Sequence, residues 1–384
     1  MIFDITNALV CFTVVFIAWR IKKIPNWVAL VLAVYSFLPF FMNGFLLPSG
    51  YMNDQAQYTA TLDAVRSGSI MGNIQTGSCD RYDGNCPFFL IQKSVITGWF
   101  LALLPIPFVE TVNSMGFFNR FLFLITFLWF YHKKFLRGMP LFFFIFYPSL
   151  VLYSSLALRD FLVLFFMMVS IIFLVDKKYF RFFMVIFPLY YLKYQNFYLM
   201  IILYLLFIIF EKKTFFYRIR YWLIFLSTTI LLVKFDFILD LINSHRSAMY
   251  YENNNSLSAF IPLEGGYSFI LTTIKGLPYF VMKPYPWEAS NFFQLLQSVE
   301  NILLLVFLIV FTKKAYNNNT FLTKKWMFFL IISMCIYGLI IFNFGTAVRY
   351  KFPFIVTYVI GLSYELYKIY GYRFDQNLKN KSNV

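Results

Sequence analysis

Charge is scarce in this sequence. Only 13% of its 384 residues are charged, 17 of them acidic, with 2 histidines and 16 glycines set against 53 phenylalanines and 28 tyrosines. So little charge beside 60% hydrophobic residues excludes an ordinary soluble domain, in which about a quarter of residues are charged. No Walker loop, dinucleotide fingerprint, nucleophile elbow or HExxH motif occurs, so internal ATP or nicotinamide chemistry has no support. Energy for any reaction comes from the substrate itself or from a gradient. The net charge of +16 raises nucleic acid as a partner, but the basic residues come in threes and fours between apolar segments. That spacing is membrane topology, and no nucleic-acid partner is expected.

Apolar segments recur from end to end with short polar breaks, the pattern of a polytopic membrane protein. Residues 8–19 have no basic stretch before them and no small-residue cleavage site after them, which predicts a first membrane helix rather than a signal peptide. Six basic clusters punctuate the chain: Arg20/Lys22/Lys23, Lys133/Lys134/Arg137, Lys177/Lys178/Arg181, Lys212/Lys213/Arg218/Arg220, Lys313/Lys314/Lys324/Lys325 and Lys368/Arg373/Lys379/Lys381. Placed together in the cytoplasm they hold 21 of the 33 Lys and Arg but 4 of the 17 acids, as the positive-inside rule asks. The expected fold is all-α, one integral membrane domain over 1–384 with about 11 transmembrane helices. The crossings fall near 5–19, 26–46, 117–131, 139–157, 161–175, 182–195, 197–210, 221–234, 297–312, 327–347 and 352–369, with the N-terminus outside. Residues 95–109 are apolar enough to cross but would invert every later loop. They are expected to form a re-entrant or interfacial helix, broken at Pro105 and Pro107.

Two outer loops remain, 47–116 and 235–296. In the first, Cys79 and Cys86 stand in CDRYDGNC. Their disulfide in an oxidising compartment would close a small loop and add about 2 kcal/mol, and no histidine lies near enough to suggest a metal site instead. Cys11 and Cys335 fall in membrane segments and read as small apolar residues. The same loop opens with MNDQAQYTATLDAVRSG, where Leu62, Val65 and Ile70 supply the apolar stripe of a helix lying on the membrane surface. Asp54 is an N-cap by propensity, and by its place at the membrane edge also a candidate general base or acceptor-positioning acid.

Residues 147–178, YPSLVLYSSLALRDFLVLFFMMVSIIFLVDKK, are long enough to cross a bilayer twice, yet Arg159 and Asp160 sit at their midpoint. This is the outer tip of a helical hairpin. YYLKYQNFY places Lys193, Gln195 and Asn196 at a second tip, and GTAVRYKFPF places Arg349 and Lys351 at a third. One such tip alone is more simply read as solvated or snorkelling charge. Three cationic tips on the leaflet that usually avoids Lys and Arg suit an anionic ligand held at membrane level, such as a phosphate or pyrophosphate on a lipid carrier. Arg120, at the outer end of an otherwise apolar helix, needs a partner that a lipid phosphate would supply. The second loop offers His245, Arg246, Glu264 and Lys275 among aromatic residues, the mixture that holds sugars. In a chain that is 23% aromatic this enrichment says little, and His245 and Arg246 read first as loop surface.

In order along the chain, NDQAQY, FFNR, YPSLVLYSSLALRD, LYYLKYQN and GTAVRYKFPF resemble O-antigen polymerases of the Wzy type, which are bacterial inner-membrane proteins. The long outer loop bearing an acid after an early helix looks like the GT-C glycosyltransferase architecture. The resemblance implies polymerisation of polyprenyl-pyrophosphate-linked oligosaccharide repeat units into O-antigen or a related polysaccharide on the periplasmic side. The growing glycan moves from its carrier onto the nonreducing end of a new unit. By the same resemblance Arg159, Arg349 and Lys351 bind and neutralise the pyrophosphate. Arg120 and Lys193 support them, and Asp54 or Asp160 orients or deprotonates the attacking hydroxyl. Read from the tip and the second loop themselves, Gln195, Asn196, His245 and Glu264 are further candidates for substrate binding. Asp160 reads equally well as the partner that neutralises Arg159. Where a metal-binding GT-C enzyme has paired acids, Asn53 stands beside Asp54, which favours metal-free chemistry with cations stabilising the leaving group. No cofactor is expected. The partners implied are the lipid-linked unit, membrane lipids, a chain-length regulator and other polysaccharide export proteins.

Two other readings stay open. A GT-C transferase adding one sugar from a polyprenyl-phosphate donor has much the same sequence features. A flippase for the lipid-linked unit would instead show repeated halves and broken helices with polar groups near the midplane, and no repeat is detectable here.

Overall fold

The structure is a computed structural model, and it describes residues 2–47, 54–66, 100–101, 111–210, 235–252, 261–341 and 344–371. Among these residues the chain is all-helical, with no strand. Helix is the form that satisfies every backbone N–H and C=O within its own segment, as a hydrocarbon environment demands. Among the described residues five helices are long and apolar enough to cross a membrane: Phe3–Arg20, Val112–His132, Tyr179–Ile209, Phe292–Asn318 and Thr320–Ile340. Their outer faces are apolar as well. Leu295, Leu296, Ile302, Leu303, Val306 and Ile309 all lie exposed along one of them, a surface that suits lipid and not water. The chain is a helical membrane protein.

The residues group into two compact units, 1–197 with 373–384, and 198–372. The first contains α1 (Ile2–Arg20), α2 (Asn26–Tyr35), α3 (Leu38–Met42), α4 (Asp54–Arg66), α5 (Val112–His132), α6 (Met139–Phe146), α7 (Pro148–Tyr153) and α8 (Arg159–Val175). Helix α9 (Tyr179–Phe210) begins in it and ends in the second. Two expected crossings are broken helices. Residues 26–46 divide into α2 and α3, with Pro39 in the first turn of α3, and 139–157 divide into α6 and α7 at Pro148. A proline ring cannot donate to the preceding turn and clashes with its carbonyl, so the chain must restart there. The restarts are braced inside the protein: the Tyr35 hydroxyl donates to the Ile145 carbonyl at 3.0 Å and Ser36 Oγ to that of Leu32 at 3.0 Å. Around them Phe123, Phe127, Phe130, Phe144 and Phe161 form an aromatic core. Such dispersion-rich packing matters in a bilayer, where lipid tails remove the hydrophobic drive between helices.

Helices α1 and α5 start at the same level. Asp4 accepts from Thr111 Oγ1 at 2.9 Å and Ser114 Oγ at 2.6 Å, while Thr111 caps α5 by accepting from the Asn113 amide at 3.1 Å. A carboxylate here also meets the positive end of the α5 dipole.

The second unit holds α10 (Phe235–Glu252), α11 (Tyr267–Met282), α12 (Phe292–Asn318), α13 (Thr320–Ile340) and α14 (Phe344–Tyr370). Helices α11 and α13 touch backbone to backbone at Gly276 and Gly338, where a Cβ on either would stand within 2.9 Å of the other's carbonyl oxygen. Only a pair of glycines allows that approach. At the start of α13, Lys325 Nζ and Trp326 Nε1 donate to the two oxygens of Glu365 at 2.6 and 2.7 Å, a buried ion pair whose cation also lies over the Phe207 ring. The Cys79–Cys86 pairing, the crossing at 221–234 and most of 95–109 lie outside the described residues. Of the last, Leu101 is buried and Phe100 meets Phe166 edge-on at 5.7 Å.

Candidate functional site

Residues 154–158, between α7 and α8, are non-helical and wholly buried. The Ser154 and Ser155 amides still reach back to the carbonyls of Leu150 and Leu152; the remaining buried polar groups must find side chains or stay unsatisfied at a cost. Asn119 on α5 donates to the carbonyls of Leu156 at 2.7 Å and Leu158 at 2.8 Å. Gln55 on α4 accepts from the Ala157 amide at 3.0 Å and exchanges hydrogen bonds with Asn43, which also reaches Asn113. Gly116 lets α5 pass close by, since a Cβ there would lie 2.5 Å from the Ser155 carbonyl oxygen. Asn119 and Gln55 were not among the residues expected from sequence. Their only signal was membership of FFNR and NDQAQY.

This brace packs α4 against the rest of its unit. Tyr58 and Leu62 are buried in the protein, and Thr59 faces Met115 of α5. Asp54 opens α4 half-buried, one turn before Tyr58, whose ring lies 5.6 Å from the Arg159 guanidinium carbon.

Arg159 and Asp160 form the first turn of α8, where the carboxylate meets the helix dipole favourably. Asp160 is buried and its ion-pair partner is Lys193, at 3.4 Å, also buried. The ammonium therefore comes from the second expected tip. At that tip Lys193 alone leaves helical geometry within α9 (φ −161°, ψ 83°). The Tyr190 and Phe197 rings stand 5.6 Å apart, although seven residues of straight helix rise about 10 Å. Asn196 Nδ2 meets Met167 Sδ at 3.3 Å, and Met167 lies about 10 Å further along α8 than Asp160. The chain thus folds back on α8 at Lys193. Gln195 is half-buried just beyond the bend.

Arg120 is fully buried, not placed at a wet helix end. Its Nη2 donates to the Val151 carbonyl at 2.7 Å and to Ser155 Oγ, and its guanidinium lies between the Tyr35 and Phe123 rings. Among the described residues Nε and Nη1 have no acceptor and no carboxylate stands beside it. Four of the five resembling segments, NDQAQY, FFNR, YPSLVLYSSLALRD and LYYLKYQN, converge on this one buried tip.

No protein-family model, no curated protein and no solved structure matches the chain.

The remaining candidates lie in the other unit. Lys351, on α14, is buried and committed: its ammonium donates to Asn301 Oδ1 at 2.5 Å and to the Val281 carbonyl at 3.1 Å. It does not stand free at a tip. Arg349 is half-buried two residues earlier on the same helix. Arg246, on α10, is buried with Nη1 on the Leu339 carbonyl at 2.5 Å, so it caps the C-terminal end of α13 and is not loop surface. His245 is half-buried beside it, and Glu264 is exposed in the turn before α11. Among the described residues no three His, Cys, Asp or Glu side chains gather as a metal-ligating group.

Proposed function

We propose that this chain is a membrane glycosyltransferase of the GT-C-like, Wzy type, polymerising polyprenyl-pyrophosphate-linked oligosaccharide units at the periplasmic face of the bacterial inner membrane. The observation that carries the proposal is Arg120, a fully buried guanidinium with two unsatisfied nitrogens and no carboxylate beside it among the described residues. An uncompensated buried cation is costly, and a bound pyrophosphate supplies the acceptors and the charge it lacks. In this reading Arg159 grips the same anion with its fork. Lys193 is held ready by Asp160, which makes Asp160 a positioning residue and leaves Asp54 to receive the proton of the acceptor hydroxyl. That hydroxyl, on the nonreducing end of the new unit, attacks the anomeric carbon of the growing chain. The bond from that carbon to pyrophosphate breaks, and polyprenyl pyrophosphate leaves with the electron pair, stabilised by the cations.

The topology belongs to the same proposal, with about 11 crossings, the basic clusters in the cytoplasm and the tip of α8 facing the periplasm. Two contacts support it. Asp4 with Thr111 and Ser114 sets the starts of α1 and α5 on one side, and Lys325 with Glu365 sets the start of α13 and the end of α14 on one side. Profiling lipid-linked glycans in cells lacking the chain tests the function. Loss of long chains with intact single units is expected. Uniformly smaller units would make it a single-sugar transferase, and units trapped on the cytoplasmic leaflet would make it a flippase.

A further inference from the structure

The turn after α11 is built with unusual care for an exposed segment. Lys351 takes the carbonyl of Val281 and holds Asn301 Oδ1, while Asn301 Nδ2 donates to the carbonyls of Met282 at 3.2 Å and Lys283 at 3.0 Å. Three successive carbonyls at the end of α11 are thereby capped from α12 and α14, with a cation at the negative end of the dipole. Beyond them Lys283 pairs with Glu288 at 2.9 Å, and Glu288 accepts from the Tyr285 amide at 3.3 Å. Asn291 then caps α12 by accepting from the Gln294 amide at 3.0 Å.

What this scaffold presents is one flat surface. Tyr285 and Trp287 stack with centroids 5.0 Å apart and planes within 7°, and Trp287 is 79% exposed. Tyr285 covers one face of the indole and the other is open. Such a ring, fixed before any ligand arrives, avoids the ordering cost of binding. An open indole face suits the flat C–H face of a pyranose, and Lys283 and Glu288, partly exposed at its side, suit the hydroxyls around a sugar's rim.

We propose that the Tyr285–Trp287 stack is a glycan-binding platform, holding a pyranose of the substrate or product chain, with Lys351 and Asn301 as the residues that position it. The proposal rests on the glycan-polymerising reading but is tested without it. Full-length protein in lipid nanodiscs is mixed with three soluble probes, maltotriose, chitotriose and mannotriose, and saturation transfer to sugar C–H protons is measured. Transfer to at least one probe is expected, weakened about tenfold in Trp287→Leu and largely kept in Trp287→Phe, since a flat ring carries the stacking. Lys351→Met should weaken binding while Lys351→Arg, which restores a cation at the helix end, should recover it. No transfer from wild-type protein, or equal transfer in the Leu and Phe variants, overturns the platform. In the second case Trp287 is an interfacial lipid anchor, for which any large apolar side chain serves. Cellular glycan length, which decides the polymerase reading, does not enter this measurement.

Discussion

Among the buried cations, four have evident duties. Lys193 pairs with Asp160 and Lys325 with Glu365, while Arg246 and Lys351 close the ends of helices. Arg120 differs, having spent one nitrogen on Val151 and Ser155 and left two without acceptors. Replacing it by methionine should therefore leave thermal stability unchanged or raise it by about 1–4 kcal/mol, as when other buried ionic groups become apolar, while long glycan disappears. A variant whose stability and activity fall together would make Arg120 structural. For the Asp160–Lys193 pair, Asp160→Leu or Lys193→Met alone should cost about 3–5 kcal/mol by stranding a charge, and the double variant should recover most of it. Protein level in the membrane measures this, and a double variant no better than the singles would contradict it. The sequence announced Arg120, Lys193 and Lys351, because a charge in an apolar run stands out, whereas Arg246 read as loop surface and Lys325 as one of a basic cluster. It did not announce where they point, since Lys351 and Arg120 look alike as isolated charges and only the fold reveals that one is satisfied.

At the scale of helices, the long apolar helices were legible wherever a run is continuous, as in α1, α5, α12 and α13, and less so where proline interrupts. Pro39 and Pro148 lie inside apolar stretches that hydropathy alone joins, and the amides that hold the resulting gap, Asn119 and Gln55, carry no pattern of their own. The Gly276–Gly338 crossing gives a direct test of packing: Gly338→Ala should cost about 1–3 kcal/mol in detergent, and adding Gly276→Ala should cost less than a second such loss, because one shift relieves both clashes. Full additivity would mean the two helices do not share that contact. The turn after α11 sets a pH window. Its hydrogen bond to Lys283 holds the Glu288 carboxyl below the usual carboxylate range, and the same bond raises the Lys283 ammonium. A carboxyl lowered on folding stabilises above its ordinary value of about 4.3 and loses that effect as pH falls through the lowered one; a raised ammonium stabilises below about 10.4 and loses it as pH rises through the raised one. The turn should hold from about pH 5 to 10 and loosen outside, read as the difference in tryptophan emission between wild type and Trp287→Phe. Glu288→Gln should abolish the acid limb, and its persistence would assign that limb elsewhere.

For the whole molecule, composition and basic clusters were enough to read a helical membrane protein, because too few charges remain to dissolve it. In a background without native cysteines, Glu264→Cys should react with an impermeant thiol reagent in intact cells and Asn318→Cys should not; the reverse labelling would invert the topology. The sequence placed three cationic tips at one outer interface; four of the five resembling segments meet at the start of α8, while GTAVRYKFPF belongs to the other unit. Spacing along a sequence carries no information about which loops converge, so that gathering needed the fold. The central claim is that this tip grips a lipid pyrophosphate during glycan polymerisation. Purified protein in liposomes, supplied with polyprenyl-pyrophosphate-linked repeat units, should build a ladder of lengthening glycan and release polyprenyl pyrophosphate. Arg159→Lys, folded but without the fork, should build none. A wild-type ladder from Arg159→Lys, or no lengthening by the wild-type protein, would contradict it.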